Sequence, residues 1–161
     1  FGCNLAGVGF DALVAHHFSG AKKRGLLTYI RIILKHYTGY QPQMYQLKHD
    51  GGSIQTKAML ISVANSNQFG NGAVIAPMAS PDDGFIDVCI LKKVPLLLSP
   101  VLGMALLGRW IHKTSYIQYI QTPRIDIVAD HDMLLHIDGD PVSCSGHLHI
   151  SVNPQSLKVI C

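Results

Sequence analysis

The chain has 161 residues, with 48% apolar and only 14% charged residues, and a net charge of +3 with histidine neutral. That length favours one domain with a sizeable core. The few basic residues and the 7% aromatic content are not interleaved as a nucleic-acid stacking platform requires, so no nucleic-acid partner is expected.

Low charge and a mean hydropathy of +0.23 point to a surface hidden against a second domain, a partner or a membrane. Cys3, Cys89, Cys144 and Cys161 have no Cys-x-x-Cys spacing and read as reduced thiols. The first residue is Phe1, with no basic segment or signal-type apolar run after it, so the sequence reads as a piece of a longer protein.

Residues 1–8 read as a strand ending in glycines. Residues 10–18 suit a short helix with Asp11 at its positive end. A basic loop, 19–25, carries Lys22, Lys23 and Arg24. Residues 26–36 place Leu27, Ile30, Ile33 and Leu34 at helical spacing. Thr38, Gly39 and Pro42 end that helix. Residues 43–48 and 53–64 flank His49-Asp50-Gly51-Gly52, a strong hairpin signal.

The stretch 65–88 organises the chain. Gly70, Gly72, Gly84, Pro77 and Pro81 make it neither helix nor central strand. Ser80-Pro81-Asp82-Asp83-Gly84 is a turn by its own chemistry. Its carboxylates cap backbone amides or, with nearby carbonyls, hold a hard cation. Residues 85–92 form a buried type of strand. Residues 94–108 carry no charge, contain Pro95 and Pro100, and are too short to span a bilayer. Their length favours a helix buried on a sheet. The other reading is a helix lying in a membrane interface, with Trp110 and the flanking basic residues at the headgroups.

From residue 115 onward the pattern is β, with short strands at 116–121, 124–129, 134–137, 148–152 and 157–160. The fold expected is therefore mainly β: a sandwich of antiparallel strands with a few helices. His147 and His149 alternate on one strand and face one side. With His131 and His136 on neighbouring elements they raise a metal site as a rival reading, which requires three or four convergent ligands.

Three motifs occur in order. Gly7-Val8-Gly9-Phe10-Asp11-Ala12-Leu13-Val14 comes first. Next come Asn65 with Phe69-Gly70-Asn71-Gly72, Ala76-Pro77-Met78-Ala79 and Asp83-Gly84-Phe85-Ile86-Asp87-Val88. Last is Ile137-Asp138-Gly139-Asp140-Pro141. Together they resemble the diacylglycerol kinase family of lipid kinases, which includes sphingosine-kinase-like enzymes, over essentially the whole chain. The resemblance implies the C-terminal, lipid-side domain of a two-domain kinase. No Gly-Gly-Asp-Gly-Thr nucleotide motif occurs here, so ATP would be bound mainly by an N-terminal domain absent from the sequence.

What the resemblance implies for single residues is specific. Asp140 stands where the family's proton-accepting Glu stands, one methylene shorter. Mg²⁺ would be held by the Asp83 carboxylate and the Ser80 and Phe85 carbonyls. Asp11 would face the lipid headgroup, or else serve only as the helix-start carboxylate. Asn65 and Asn67, with Gly70 and Gly72, would bind substrate or shape the loop. The partners implied are a lipid alcohol at the cytoplasmic membrane face and the chain's own N-terminal domain, with a homodimer also compatible. These 161 residues alone would be inactive. A non-catalytic lipid- or membrane-binding sandwich is the alternative function.

Overall fold

A computed structural model describes residues 4–21, 25–70, 73–154 and 156. The strands fall into two main sheets. The larger takes β1 (Leu5–Gly9), β4 (Leu60–Ala64), β7 (Ile86–Leu91), β8 (Ile117–Thr122), β10 (Met133–Ile137) and β11 (Asp140–Cys144) in the order β11-β10-β1-β4-β7-β8. The smaller takes β2 (Gln43–His49), β3 (Gly52–Ala58), β9 (Arg124–Val128) and β12 (His147–Ser151) in the order β12-β9-β2-β3. Every pairing in both sheets is antiparallel. The expected sandwich is the fold found.

Side-chain alternation sorts the core into two layers. In β4, Ile61 and Val63 point between the sheets; in β7, Ile86, Val88 and Ile90 do the same, against Tyr45, Leu47, Ile125 and Ile127 of the smaller sheet. Leu60, Ala64, Cys89 and Leu91 point to the opposite face, where helices cover them. Both faces of β4 and β7 are thus buried, which is why these strands read as unbroken apolar runs. The covering layer is α1 (Phe10–Ser19), α2 (Leu26–Tyr37) and α3 (Ser99–Leu107), so the molecule stacks helices, a six-stranded sheet and a four-stranded sheet.

Three expectations need correction. The strand read at 53–64 is two strands, β3 and β4, which belong to different sheets. The break falls at Met59, whose N–H donates to the Leu91 carbonyl at 2.8 Å while its own carbonyl accepts the Phe10 N–H at 3.0 Å. Met59 therefore ties β7 and the start of α1 to one corner, which continuous alternation in sequence conceals. Second, the turn-rich stretch contains a small ribbon, β5 (Gln68–Gly70) paired with β6 (Ala73–Val74). Third, the uncharged run 94–108 is a helix on the sheet, but only Ala105 of α3 is fully buried and its outer side is open. The strand expected at 157–160 and the Lys22–Arg24 loop lie outside the described residues.

Candidate functional site

The turns at one end of the six-stranded sheet gather the residues that the motifs single out. β1 begins there at Leu5, β4 ends there at Ala64, β7 begins at Ile86, and the β10–β11 hairpin turns there at Asp138 and Gly139. The hairpin has a two-residue loop, with Ile137 opposite Asp140, and positive φ at both Asp138 (51°) and Gly139 (93°). That is the backbone twist that Asp-Gly hairpins adopt.

Asn4 and Leu5 join the two motif segments. Asp138 Oδ1 accepts the Asn4 N–H at 3.0 Å and the Leu5 N–H at 2.8 Å, and the Asp138 N–H donates back to the Leu5 carbonyl at 2.8 Å. On the other side, the Asn4 carbonyl accepts N–H groups from Asn65 at 2.9 Å and Ser66 at 3.3 Å. The Ser66 hydroxyl also bonds the Asn4 side chain. Residues more than sixty positions apart thus meet across the start of one strand. Asp140 opens β11 with an exposed side chain, and Asn65 and Asn67 are half-buried. Gly70 closes β5, and Gly72 lies outside the described residues.

The Asp82–Asp83 turn sits at the same end, leading into β7. Asp83 Oδ1 accepts the Phe85 N–H at 2.9 Å, and Oδ2 accepts from Gln121 Nε2 at 3.5 Å. Ser80 Oγ donates to Asp82 Oδ1 at 2.5 Å, and the Ser80 carbonyl takes the Asp83 N–H at 3.5 Å. Gly84, at φ 77°, closes the turn. Asp87, four residues on, is buried; its burial and then the Asp83 carboxylate push its carboxyl above the ordinary value. An all-oxygen donor set beside paired carboxylates is the chemistry that a hard cation such as Mg²⁺ takes, so Ser80, Asp83 and Phe85 fit the ion in donor type.

Asp11 lies one row deeper. In the sheet register, Ser62 of β4 and His136 of β10 flank Gly7 of β1 from either side. The first turn of α1 lowers Asp11 onto that row. Its Oδ2 accepts from Ser62 Oγ at 3.0 Å and lies 3.2 Å from His136 Nε2, and its Oδ1 accepts the Ala12 N–H at 2.8 Å. Asp11 is 5% exposed and His136 4%. Asp11 thus stands in the first turn of α1 with its carboxylate buried. The meeting of Asp11 with Ser62 and His136, and the space above Gly7, were invisible in sequence, because these two residues lie 51 and 125 positions from Asp11.

The histidines separate rather than converge. His147 Nε2 and His149 Nδ1 both bond Asp126 Oδ1, at 2.9 and 3.0 Å, so they do face one side. His131 pairs with Asp130, and His136 is in the other sheet. Among the described residues no group of three His, Cys or Asp side chains could hold a metal ion.

Residues 4–161 match the family described as the YegS C-terminal NAD kinase beta sandwich-like domain. The chain belongs to that family. This YegS-type domain is 26% identical over 140 residues to a probable lipid kinase YegS-like of Chromohalobacter salexigens, covering 86% of this chain and 45% of that protein. It is 31% identical over 117 residues to a diacylglycerol kinase of Bacillus subtilis, covering 72% of this chain and 38% of the relative. A solved structure of a putative diacylglycerol kinase from Bacillus anthracis shares the fold. It has a TM-score of 0.60 and 17% identity, and the match spans 96% of this chain and 53% of that one. The YegS-type domain thus spans about half the length, or less, of the curated relatives it matches.

Proposed function

We propose that the YegS-type domain is the lipid-side half of an ATP-dependent lipid kinase acting on diacylglycerol or a related lipid alcohol. The observation that carries this reading is the meeting of the Asn65 segment and the Asp138–Asp140 hairpin at the start of β1. The names of the relatives supply the reaction class.

Asp140 is the proposed general base. As the lipid hydroxyl oxygen bonds the γ-phosphorus and the bond to ADP breaks, its proton passes to the Asp140 carboxylate. The exposure of its carboxylate at the lip of the sheet supports this role. Asn65 and Asn67 contact the substrate, a role that the motif also assigns to Gly70 and Gly72. ATP binds mainly to an N-terminal domain outside these residues, and the reaction takes place between the two domains at the inner face of the membrane. Mg²⁺ held by Asp83 and the Ser80 and Phe85 carbonyls would offset the charge of Asp83 and Asp87 and stiffen the turn. Asp11 serves through structure: it pins α1 over the row that leads to the hairpin.

The test is phosphate transfer from labelled ATP to a panel of lipid alcohols by the full-length protein and its Asp140→Asn variant. Transfer to one lipid, lost in the variant, is the expected result. No transfer to any lipid would leave a non-catalytic lipid-binding sandwich as the better reading. Measurable ATP turnover by these 161 residues alone would overturn the two-domain reading.

A further inference from the structure

The connection from β7 to β8 carries an open apolar face. Leu97 is 92% exposed, Met104 66% and Leu107 64%, and Leu96, Val101 and Trp110 are exposed beside them. α3 is apolar on its inner side as well, where Leu102, Ala105 and Leu106 pack on the core. A helix apolar all round is covered by protein or by lipid.

The charge pattern distinguishes the two. No acidic residue occurs between Asp87 and Asp126, whereas Lys92, Arg109, His112 and Lys113 border the run and are exposed. Arg109 and Trp110 follow α3 directly, with Arg109 in the left-handed region at φ 61°. The open side chains of α3 and the turn before it are aliphatic or Met, with no Asp, Asn, Gln or Tyr among them. Interfaces between domains of one chain are more polar than this. Exposed aliphatic side chains followed by a Trp and bordered in sequence by basic residues match a bilayer with anionic headgroups. Among the described residues no helix is long and apolar enough to cross a membrane, so the contact lies in the interface.

We infer that the Leu96–Leu107 face, bordered by Trp110, Arg109 and Lys113, docks onto an anionic lipid surface. This deepens the reading that the substrate resides in a bilayer and rests on it. The test uses the full-length protein, without ATP, and vesicles of equal parts phosphatidylglycerol and phosphatidylcholine. Leu97→Glu is expected to lower co-sedimentation about tenfold or more, with the thermal midpoint unchanged because Leu97 is solvent-facing. Leu97→Trp is expected to bind as the parent does. Lys113→Glu should weaken binding to the mixed vesicles and leave binding to pure phosphatidylcholine unchanged. The inference falls if Leu97→Glu sediments like the parent. It also falls if that variant changes the elution volume without lipid, which would mean that a second copy covers the face. A lowered midpoint would assign the face to the protein's own missing segment and would overturn it equally. Vesicle binding that persists without phosphate transfer would uphold the surface and refute the kinase reading.

Discussion

Asp11 Oδ2 and His136 Nε2 lie 3.2 Å apart, buried beneath α1, in space that exists only because residue 7 is glycine. A Cβ on Gly7 would stand 2.2 Å from Asp11 Oδ2 and 2.6 Å from His136 Nε2. Gly7→Ala must therefore displace a helix start or a strand side chain in a packed layer. It should cost about 1–3 kcal/mol, read as a lower urea midpoint with the m-value unchanged. An alanine variant as stable as the parent would show that α1 can lift at no cost.

The same contact sets the result of removing the carboxylate. Asp11→Ala leaves the Ser62 hydroxyl and the His136 ring without their buried acceptor, and among the described residues His136 Nδ1 has no hydrogen-bond partner. The expected loss is about 3–5 kcal/mol, and Asp11→Asn should recover part of it. A double-mutant cycle of Asp11→Ala with His136→Ala should show coupling above about 1 kcal/mol. Additive losses would mean that the two side chains are neighbours only by proximity.

The sandwich was legible because short β-branched runs, Asp-Gly turns and proline punctuation are local signals. Asp138 and Gly139 were legible as part of a motif, but β11, the strand that follows them, was not among the expected strands. What sequence hid was long-range. Met59 looks like one more strand residue until the Leu91 carbonyl and Phe10 N–H claim its backbone. Asn4 carries no motif, yet it joins two of them. Asp11 could be placed at a helix start, but its burial depends on Ser62 and His136 arriving from strands distant in sequence. The uncharged run was legible as a helix. Its open side was not, since length and hydropathy do not tell which faces a neighbour covers. The departure at Asp140 also looks different against the whole chain, in which all ten acidic residues are Asp.

Histidine contacts give a pH dependence of known sign. Hydrogen bonds from His149 and then His147 hold the Asp126 carboxyl below the ordinary value. A depressed carboxyl adds stability that is present above its unfolded value, about 4, and is lost as pH falls through the lower folded value. His17 is also depressed, by burial first and then by the positive charge of His36, His16 and Lys35; its ring stacks on His36 at 4.2 Å. For this base the neutral form is favoured, so stability is full above about 6.5 and declines as pH falls below it. His17 is exposed and Asp126 half-buried at the surface, so each effect should be small. Ring NMR should place the His17 midpoint below that of a free imidazole, and His36→Gln should raise it. A His17 midpoint unmoved by that change would assign the depression to burial with His16 and Lys35, and not to His36.

Asp138 and Asp140 stand two residues apart and should separate structure from chemistry. Asp138 takes two backbone N–H groups at the start of β1 and holds φ 51°, a conformation Asp tolerates better than alanine. Asp138→Ala should cost about 1–3 kcal/mol, seen as a lower thermal midpoint. Asp140 is exposed at the first position of β11. Asp140→Asn should leave the stability within about 0.5 kcal/mol of the parent and reduce phosphate transfer by about 10²–10⁴ in kcat. Asp140→Glu restores the longer side chain, and as a proton acceptor it should retain or raise kcat. Loss of activity in Asp138→Ala at a temperature where it stays folded, with Asp140→Asn still active, would move the proton-accepting role from residue 140 to residue 138.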